Sequence, residues 1–261
     1  MGPLTVITSS QNSKIKLVRA LLGRAKERRE ANAFVIEGVR LVEEAANRKW
    51  LFRFVLYDET LNERGKSLVE NLRSREVEVD QIPSDLMQDL SQTETPQGIL
   101  AVILLIDLPI PTSPNFIVIA DQIRDPGNLG TLLRSAAAAG VQAVIIPPGT
   151  TDPFSPKVVR AGMGAHFRLA AHSANWDNIQ AYTRGINVFL ADAHGKSCWE
   201  TDLRQPLALI IGGEAEGAGK EARNLATQKI SIPMAGQVES LNAGVAGSVL
   251  MFEVIRQRSS V

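Results

Sequence analysis

From Phe116 onward the chain repeats one pattern: a short apolar, β-branched run, a turn rich in Gly, Asn, Glu or Ser, then a segment of helical spacing. The runs are Ile117-Val118-Ile119-Ala120, Ala143 to Ile146, Val188 to Ala191, Leu207 to Ile211 and Ile230 to Ile232. Runs that are apolar at every position, rather than at alternate ones, suit strands buried on both faces of a parallel sheet covered by helices. Helices fit at Leu129 to Ala139, Ser155 to Met163, Trp176 to Arg184, Gly219 to Ala226 and Ser240 to Arg256. The pattern predicts a mostly parallel α/β domain over residues 116–261.

The residues before it form a smaller α/β block. Ile15, Val18, Leu21 and Leu22 have the spacing of one amphipathic helix. Phe34-Val35-Ile36 reads as a strand, and Gly38 turns into a helix carrying Leu41, Val42, Ala45 and Ala46. Further strands are expected at Phe54 to Tyr57, Val77 to Val79 and Ile99 to Leu104, with helices between the earlier ones. Pro109, Pro111 and Pro114 fix φ without any apolar periodicity, so residues 107–115 read as a semi-rigid linker between domains 1–106 and 116–261. The total of 261 residues suits two domains better than one.

Composition narrows the classes of function. At 44% hydrophobic and 21% charged the chain has the makings of a sizeable core. The N-terminus lacks a signal peptide's cationic start and apolar core, and no apolar run spans a bilayer, so a cytoplasmic protein with no membrane partner is the simplest reading. Cys198 is the single cysteine, which excludes an intramolecular disulfide and a cysteine-based zinc cluster; His166, His172 and His194 have no metal-binding spacing. Formal charge is zero, yet Lys14, Lys16, Arg19, Arg24, Lys26, Arg28 and Arg29 crowd one stretch against Glu27 alone. On a single early helix such residues hold phosphates by releasing counterions, or simply form a solvated face.

Three turns stand at strand ends, where a parallel α/β sheet presents ligands. In Asp125-Pro126-Gly127-Asn128-Leu129-Gly130 the helix is expected to open at Asn128. Arg134 follows within two turns, and its side chain leans back toward that positively polarised helix end. By residue type alone Asn128 is also a plain N-cap and Arg134 also a surface ion-pair partner. In Gly212-Gly213-Glu214-Ala215-Glu216-Gly217 the glycines admit close approach of backbone to a ligand. This segment matches neither the P-loop nor the dinucleotide fingerprint, which disfavours ATP hydrolysis and nicotinamide chemistry. In the third, Ile232-Pro233-Met234 ends a strand and Ser240-Leu241-Asn242 starts a helix containing Gly244 and Gly247, with Ser240 a candidate N-cap. Interior glycines weaken a helix, so close packing against another backbone or a second subunit is expected there.

In this order and spacing the three motifs resemble those of the SpoU (TrmH) family of RNA ribose 2′-O-methyltransferases, within the SPOUT superfamily, over most of Phe116 to Val261. The preceding part, with Phe34 to Gly38 and Thr95-Pro96-Gln97-Gly98, is similar to that family's substrate-binding domain. Ala215 departs from the glycine that many members carry after the glutamate. The resemblance implies a trefoil-knotted C-terminal domain, S-adenosylmethionine held in a bent form, and a homodimer that completes the site. By motif position it implies an adenosine pocket at Gly212, Ile232 and Leu241, and a catalytic constellation of Asn128, Arg134, Glu214, Ser240 and Asn242. Asp152 to Gly164 also resembles the family, and its Lys157 and Arg160 join Lys14, Lys16, Arg19, Arg28 and Arg29 as candidate contacts to RNA phosphates.

The implied reaction is methyl transfer to a ribose 2′-hydroxyl of structured RNA, with ribosomal RNA favoured over transfer RNA. A ribose hydroxyl is a poor nucleophile, so its proton must be removed or polarised while the reacting atoms are aligned. In this family the arginine matching Arg134 is the proposed base. Arginine as a residue type holds its proton far above neutral pH, so binding the neighbouring phosphate and stabilising alkoxide charge has equal weight. Asn128, Ser240 and Asn242 would position ribose or cofactor, and Glu214 would orient Arg134 or a backbone turn. Two alternatives remain: a base-directed SPOUT methyltransferase, and a catalytically silent RNA-binding or ribosome-assembly module, which need not bind S-adenosylmethionine.

Overall fold

The computed structural model describes residues 6–214, 216–236 and 240–259. They cluster into two compact units, one holding the described residues up to Ile106 with Phe154–Arg160, the other Asp107–Pro153 with the described residues from Ala161. The segment Phe154–Arg160, expected in the second domain, therefore groups with the first unit.

The first unit runs α1 (Ser13–Gly23), α2 (Ala25–Ala31), β1 (Ala33–Glu37), α3 (Val39–Asn47), β2 (Phe52–Tyr57), α4 (Glu63–Ser74), β3 (Val79–Gln81), α5 (Ser84–Leu90) and β4 (Ile99–Leu104). Its sheet has the order β1-β4-β2-β3, with β4 antiparallel to β1 and β2, and β2 parallel to β3. Alternate residues Phe54 and Leu56 of β2 and Leu100 and Val102 of β4 join Ile15, Val18 and Leu21 of α1 in one core, completed by Leu86, Met87 and Leu90 of α5.

The basic stretch differs from expectation. It is two helices, because Arg24 takes an extended conformation (φ −116°, ψ 138°) directly after Gly23. Two of its residues are committed to the unit itself. The Arg28 guanidinium is buried and donates to the Leu21 carbonyl. Lys14 pairs with Asp80 and with Glu78 at 2.6 Å, its ammonium 5.4 Å from the centre of the Phe54 ring. Lys16, Arg19 and Arg29 remain exposed, with Arg19 donating to the Ser10 carbonyl at 3.2 Å.

The Phe34 to Gly38 and Thr95 to Gly98 segments prove to be halves of one contact. Gly38 enters α3 at φ +97° and has no side chain with which to cap it. Gln97 supplies the missing acceptor, its Oε1 taking the Val39 N–H at 3.1 Å, while the Gly38 N–H donates to the Ile99 carbonyl at 3.0 Å. Glu37 steadies the approach by accepting from the Thr93 hydroxyl at 2.8 Å and the Gln92 N–H at 3.2 Å. Gln97→Ala is expected to cost about 1 kcal/mol, the usual worth of a helix cap, and Gln97→Glu, which keeps an acceptor, much less. Denaturant titration of both variants checks this.

The second unit contains β5 (Phe116–Ala120), α6 (Pro126–Ala138), β6 (Ala143–Ile146), α7 (Pro156–Gly162, of which residues to Arg160 group with the first unit), β7 (Ala170–Ser173), α8 (Trp176–Tyr182), β8 (Asn187–Ser197), β9 (Leu207–Ile211), α9 (Lys220–Leu225), β10 (Gln228–Ser231) and α10 (Ala243–Ser259). The sheet order is β10-β8-β9-β5-β6-β7 and every pairing is parallel. β5 and β9 are buried along their whole length, as their unbroken apolar runs require. Among the described residues no helix is long and apolar enough to cross a membrane.

The interior glycines of α10 serve close packing on α6 within the same chain. A Cβ on Gly244 would lie 3.1 Å from the Thr131 Cβ, and one on Gly247 only 2.3 Å from Leu132 Cδ1. Ser248 and Ser135 hydroxyls meet at 2.7 Å across the same interface. Cys198 is buried, and burial pushes its thiol up to about 11, so it is protonated and unreactive at neutral pH.

His166 is buried, and burial lowers its pKa to about 4. Its Nε2 carries the proton, since its partner at 2.7 Å is the Pro153 carbonyl, which only accepts. The folded protein therefore favours neutral histidine, whereas the unfolded chain protonates near pH 6.5. Stability from this residue is complete above pH 6.5 and is lost progressively as pH falls toward 4, by about 3 kcal/mol in all. Melting temperatures of wild type and His166→Gln, compared from pH 7.5 to 4.5, should converge as the pH drops.

Candidate cofactor and catalytic site

Asp125, not Asn128, caps α6: its Oδ1 accepts the Asn128 N–H at 2.9 Å, and Pro126 presets the first helical turn. Likewise α10 opens at Ala243 rather than Ser240, with Asn242 Oδ1 taking the Val245 N–H at 3.2 Å. These local choices place the two asparagine amides face to face. Asn242 Nδ2 donates to Asn128 Oδ1 at 2.7 Å, and Asn128 Nδ2 donates to Glu214 Oε1. A carboxylate only accepts, so the chain Asn242 to Asn128 to Glu214 has a single direction and fixes both amides. The three motifs meet in this relay. Ser240 and Arg134 are exposed and form no side-chain hydrogen bond among the described residues.

Beside the relay lies a cavity of about 450 Å³ at the ends of β8, β9 and β10 and the start of α10. Gly212, Ile232, Leu241, Ser240 and Glu214 line it; Asn128 and Asn242 adjoin it through Glu214, and Arg134 stands outside it on α6. Ala215 lies outside the described residues. The volume falls in the range of nucleotide-sized ligand sites. Its walls combine backbone at Gly212 and Gly213 with apolar Leu190, Ile211 and Leu250, and with charged Asp192, Arg223 and Lys229. Apolar slots, backbone donors and paired charges suit a ligand that joins an aromatic base to a charged tail, as S-adenosylmethionine does.

The loop that carries Gly212 and Glu214 is held by backbone fit and by one carboxylate. A Cβ on Gly212 would sit 2.5 Å from the Ala218 nitrogen, and one on Gly213 would sit 2.2 Å from the Gln122 carbonyl oxygen. Asp121, fully buried at the end of β5, accepts the Gly219 N–H at 2.7 Å. Burial, reinforced by Glu221, raises its pKa above the usual carboxylate range, and its second oxygen has no hydrogen-bond partner among the described residues.

The β8 wall is irregular. Gln228 and Lys229 pair with Phe189 and Leu190, but Ile230 and Ser231 pair with Lys196 and Ser197, so residues 191–195 have no partner on β10. Such a bulge re-aims side chains. Here it turns Asp192 toward Lys229 at 2.9 Å and Arg223 at 3.6 Å, while Asp192 Oδ1 takes the His194 N–H at 3.0 Å. The Lys229 ammonium beside it holds the Asp192 carboxyl below its ordinary pKa.

Sequence reasoning missed Asp121, Asp192, Arg223 and Lys229. Asp121 left a signal, an acid directly after a wholly apolar strand. The other three left none, because a register jump brings them together. Of the remaining candidates on α7, Lys157 is exposed and Arg160 half-buried.

Comparison with known proteins identifies the family of the chain. The model of the SpoU rRNA Methylase family matches residues 115–252, and that of the MRM3-like substrate binding domain matches residues 12–101. A 23S rRNA uridine 2′-O-methyltransferase of Streptomyces viridochromogenes is 34% identical over 270 residues, covering 97% of this chain and 92% of the relative. The 23S rRNA guanosine 2′-O-methyltransferase RlmP of Bacillus subtilis is 34% identical over 254 residues, covering 95% and 98%. The crystal structure of the SpoU methyltransferase AviRb from S. viridochromogenes, in complex with the cofactor AdoMet, superposes with a TM-score of 0.85 at 31% identity, covering 96% of this chain and all of that one (100%). The relay of Asn242, Asn128 and Glu214 and the glycine-backed cavity are thus features of a chain that belongs to the SpoU rRNA methylase family.

Proposed function

We propose that this protein transfers a methyl group from S-adenosylmethionine to a ribose 2′-hydroxyl of ribosomal RNA. The observation that carries the reading is the one-directional amide relay ending on Glu214 at the wall of a cofactor-sized cavity. Gly212, Ile232 and Leu241 would hold the adenosine, largely through backbone groups. When bound, S-adenosylmethionine supplies an electrophilic methyl group on a sulfonium centre.

The chain's own residues then have distinct tasks. Asn128, anchored at both ends of its amide, presents its remaining N–H in a fixed direction, and Ser240 offers a hydroxyl at the cavity wall; together they orient the ribose. Arg134, exposed on α6, meets the phosphate next to that ribose and stabilises the negative charge that grows on the 2′-oxygen as its proton passes to solvent water. Lys16, Arg19, Arg29, Lys157 and Arg160 contact further phosphates, which makes binding steeply salt-dependent. Leu241, Val245 and Phe252 leave an apolar stripe exposed at the start and along the length of α10, and this supports a homodimer through that face, in a knotted domain working in the cytoplasm.

The test is incubation with isotopically labelled S-adenosylmethionine and unmodified ribosomal RNA, followed by digestion and mass spectrometry of nucleosides. Labelled 2′-O-methylribose is the expected product. Label on a base would assign the enzyme to the base-directed branch. Absence of both transfer and cofactor binding would leave an RNA-binding module.

A further inference from the structure

We propose that Asp192, Arg223 and Lys229 form the subsite for the amino-acid end of the S-adenosyl cofactor, the two cations taking its α-carboxylate and Asp192 its α-ammonium. The proposal rests on reading the cavity as the S-adenosylmethionine site.

Three observations carry it. First, these three are the charged lining residues besides Glu214 among the described ones, and they form no hydrogen bond with the relay at Glu214, so they constitute a second, separate charged region of the wall. A zwitterionic tail needs both signs of charge, and here both sit on one wall. Second, the group is not saturated. Asp192 lies 2.9 Å from Lys229, but its nearest approach to Arg223 is 3.6 Å, longer than a hydrogen bond. Arg223 spends its Nε–H on the Ala218 carbonyl at 2.9 Å, and that bond leaves the fork of terminal N–H groups to a ligand carboxylate. With two cations and one carboxylate, the group can offer donors to a ligand carboxylate while Asp192 accepts from a ligand ammonium. Third, the arrangement exists only because β8 breaks its ladder with β10 at residues 191–195. Gly195 permits this, since a Cβ there would lie 2.5 Å from the Ile230 backbone.

The alternative occupants of this wall are the ribose diol, which a carboxylate also binds, or no part of the ligand at all. Two ligands separate these cases. S-adenosylhomocysteine carries the amino-acid arm; methylthioadenosine has the same adenosine and sulfur but lacks it. Calorimetric titration of the full-length protein with each is expected to show homocysteine-bearing ligand binding at least about tenfold tighter, the usual worth of a charge-assisted hydrogen bond. Lys229→Met and Asp192→Asn should each weaken S-adenosylhomocysteine about tenfold and leave methylthioadenosine within about twofold; Lys229→Arg, which keeps the charge, should recover part of the S-adenosylhomocysteine affinity that Lys229→Met loses. Lys229 is half-exposed and pairs with Asp192 alone among the described residues, so its replacement tests binding rather than folding. Equal weakening of both ligands would overturn the proposal in favour of an adenosine or ribose contact, and unchanged affinity for both would overturn it outright. A wild-type protein that binds neither ligand refutes the cofactor reading itself.

Discussion

Arg134→Ala should lower the rate of methyl transfer by about 10²- to 10³-fold, the cost of removing one group aimed at developing oxyanion charge. The structure makes this a clean experiment. Arg134 is exposed, lines no part of the cavity, and forms no side-chain hydrogen bond or ion pair among the described residues. Its truncation should therefore move the melting temperature little, since surface substitutions without partners stay within about 0.5 kcal/mol. Affinity for S-adenosylhomocysteine should also be unchanged. Only the RNA side of the reaction remains for the guanidinium to act on, and single-turnover kinetics with bound RNA will read that step. Arg134→Lys should recover part of the rate, because it restores charge without the planar fork. Full activity in Arg134→Ala would remove Arg134 from the catalytic group.

Gly213→Ala should reduce affinity for S-adenosylhomocysteine about ten- to hundredfold, corresponding to the roughly 1–3 kcal/mol of an unrelieved clash. The added methyl would lie 2.2 Å from the Gln122 carbonyl oxygen and 2.9 Å from its carbon. Neither is the tip of a flexible side chain. Gln122 is itself pinned at φ +56°, with its side chain against Gly149. The loop bearing Gly212 and Glu214 must then move away from the end of β5, and the cavity wall with it. Gly140→Ala is the control. Gly140 has a positive φ, +67°, which Gly213 does not, and a Cβ there meets nothing within 4 Å. It should cost about 1 kcal/mol of backbone strain and leave affinity intact. Wild-type affinity in Gly213→Ala would show that the loop is not set by this contact.

Much of the architecture was legible because burial on both faces leaves an unmistakable composition. Ala143–Ile146, Leu207–Ile211 and Ile99–Leu104 are strands over the whole of their apolar runs. β7 escaped notice because Ala170, Ala171, His172 and Ser173 include no β-branched residue and no Phe, Tyr or Trp; parallel pairing to β6 makes them a strand. α5 escaped because seven residues are too few to establish a helical period. β3 lies over Val79–Gln81 rather than Val77 to Val79, since its register is set by β2 and not by its own side chains.

The site was legible as a set of residue types but not as a set of contacts. Asn128, Glu214 and Asn242 were recognisable, whereas their mutual hydrogen bonds depend on Asp125 and Asn242 winning the capping positions, a competition between neighbouring residues decided by a few tenths of a kcal/mol. The Asp192 group depends on a ladder slip, and a period-two pattern cannot encode a slip.

The strand order has a consequence for how such a chain is made. β5 sits between β9 and β6, so the first strand of this unit to leave the ribosome waits for a partner some ninety residues downstream, while β6 and β7 attach early on its other side. Until Leu207–Ile211 has been synthesised, the Ile117 and Ile119 edge stays an open, apolar template, and the central pair that anchors both Asp121 and the Gly212 loop cannot close. Ligand-binding competence is therefore acquired late: β9 must first slot into the middle of a half-built sheet, and Ile230, Ile232, Leu241 and Ala243, which follow it in the chain, must then complete the wall.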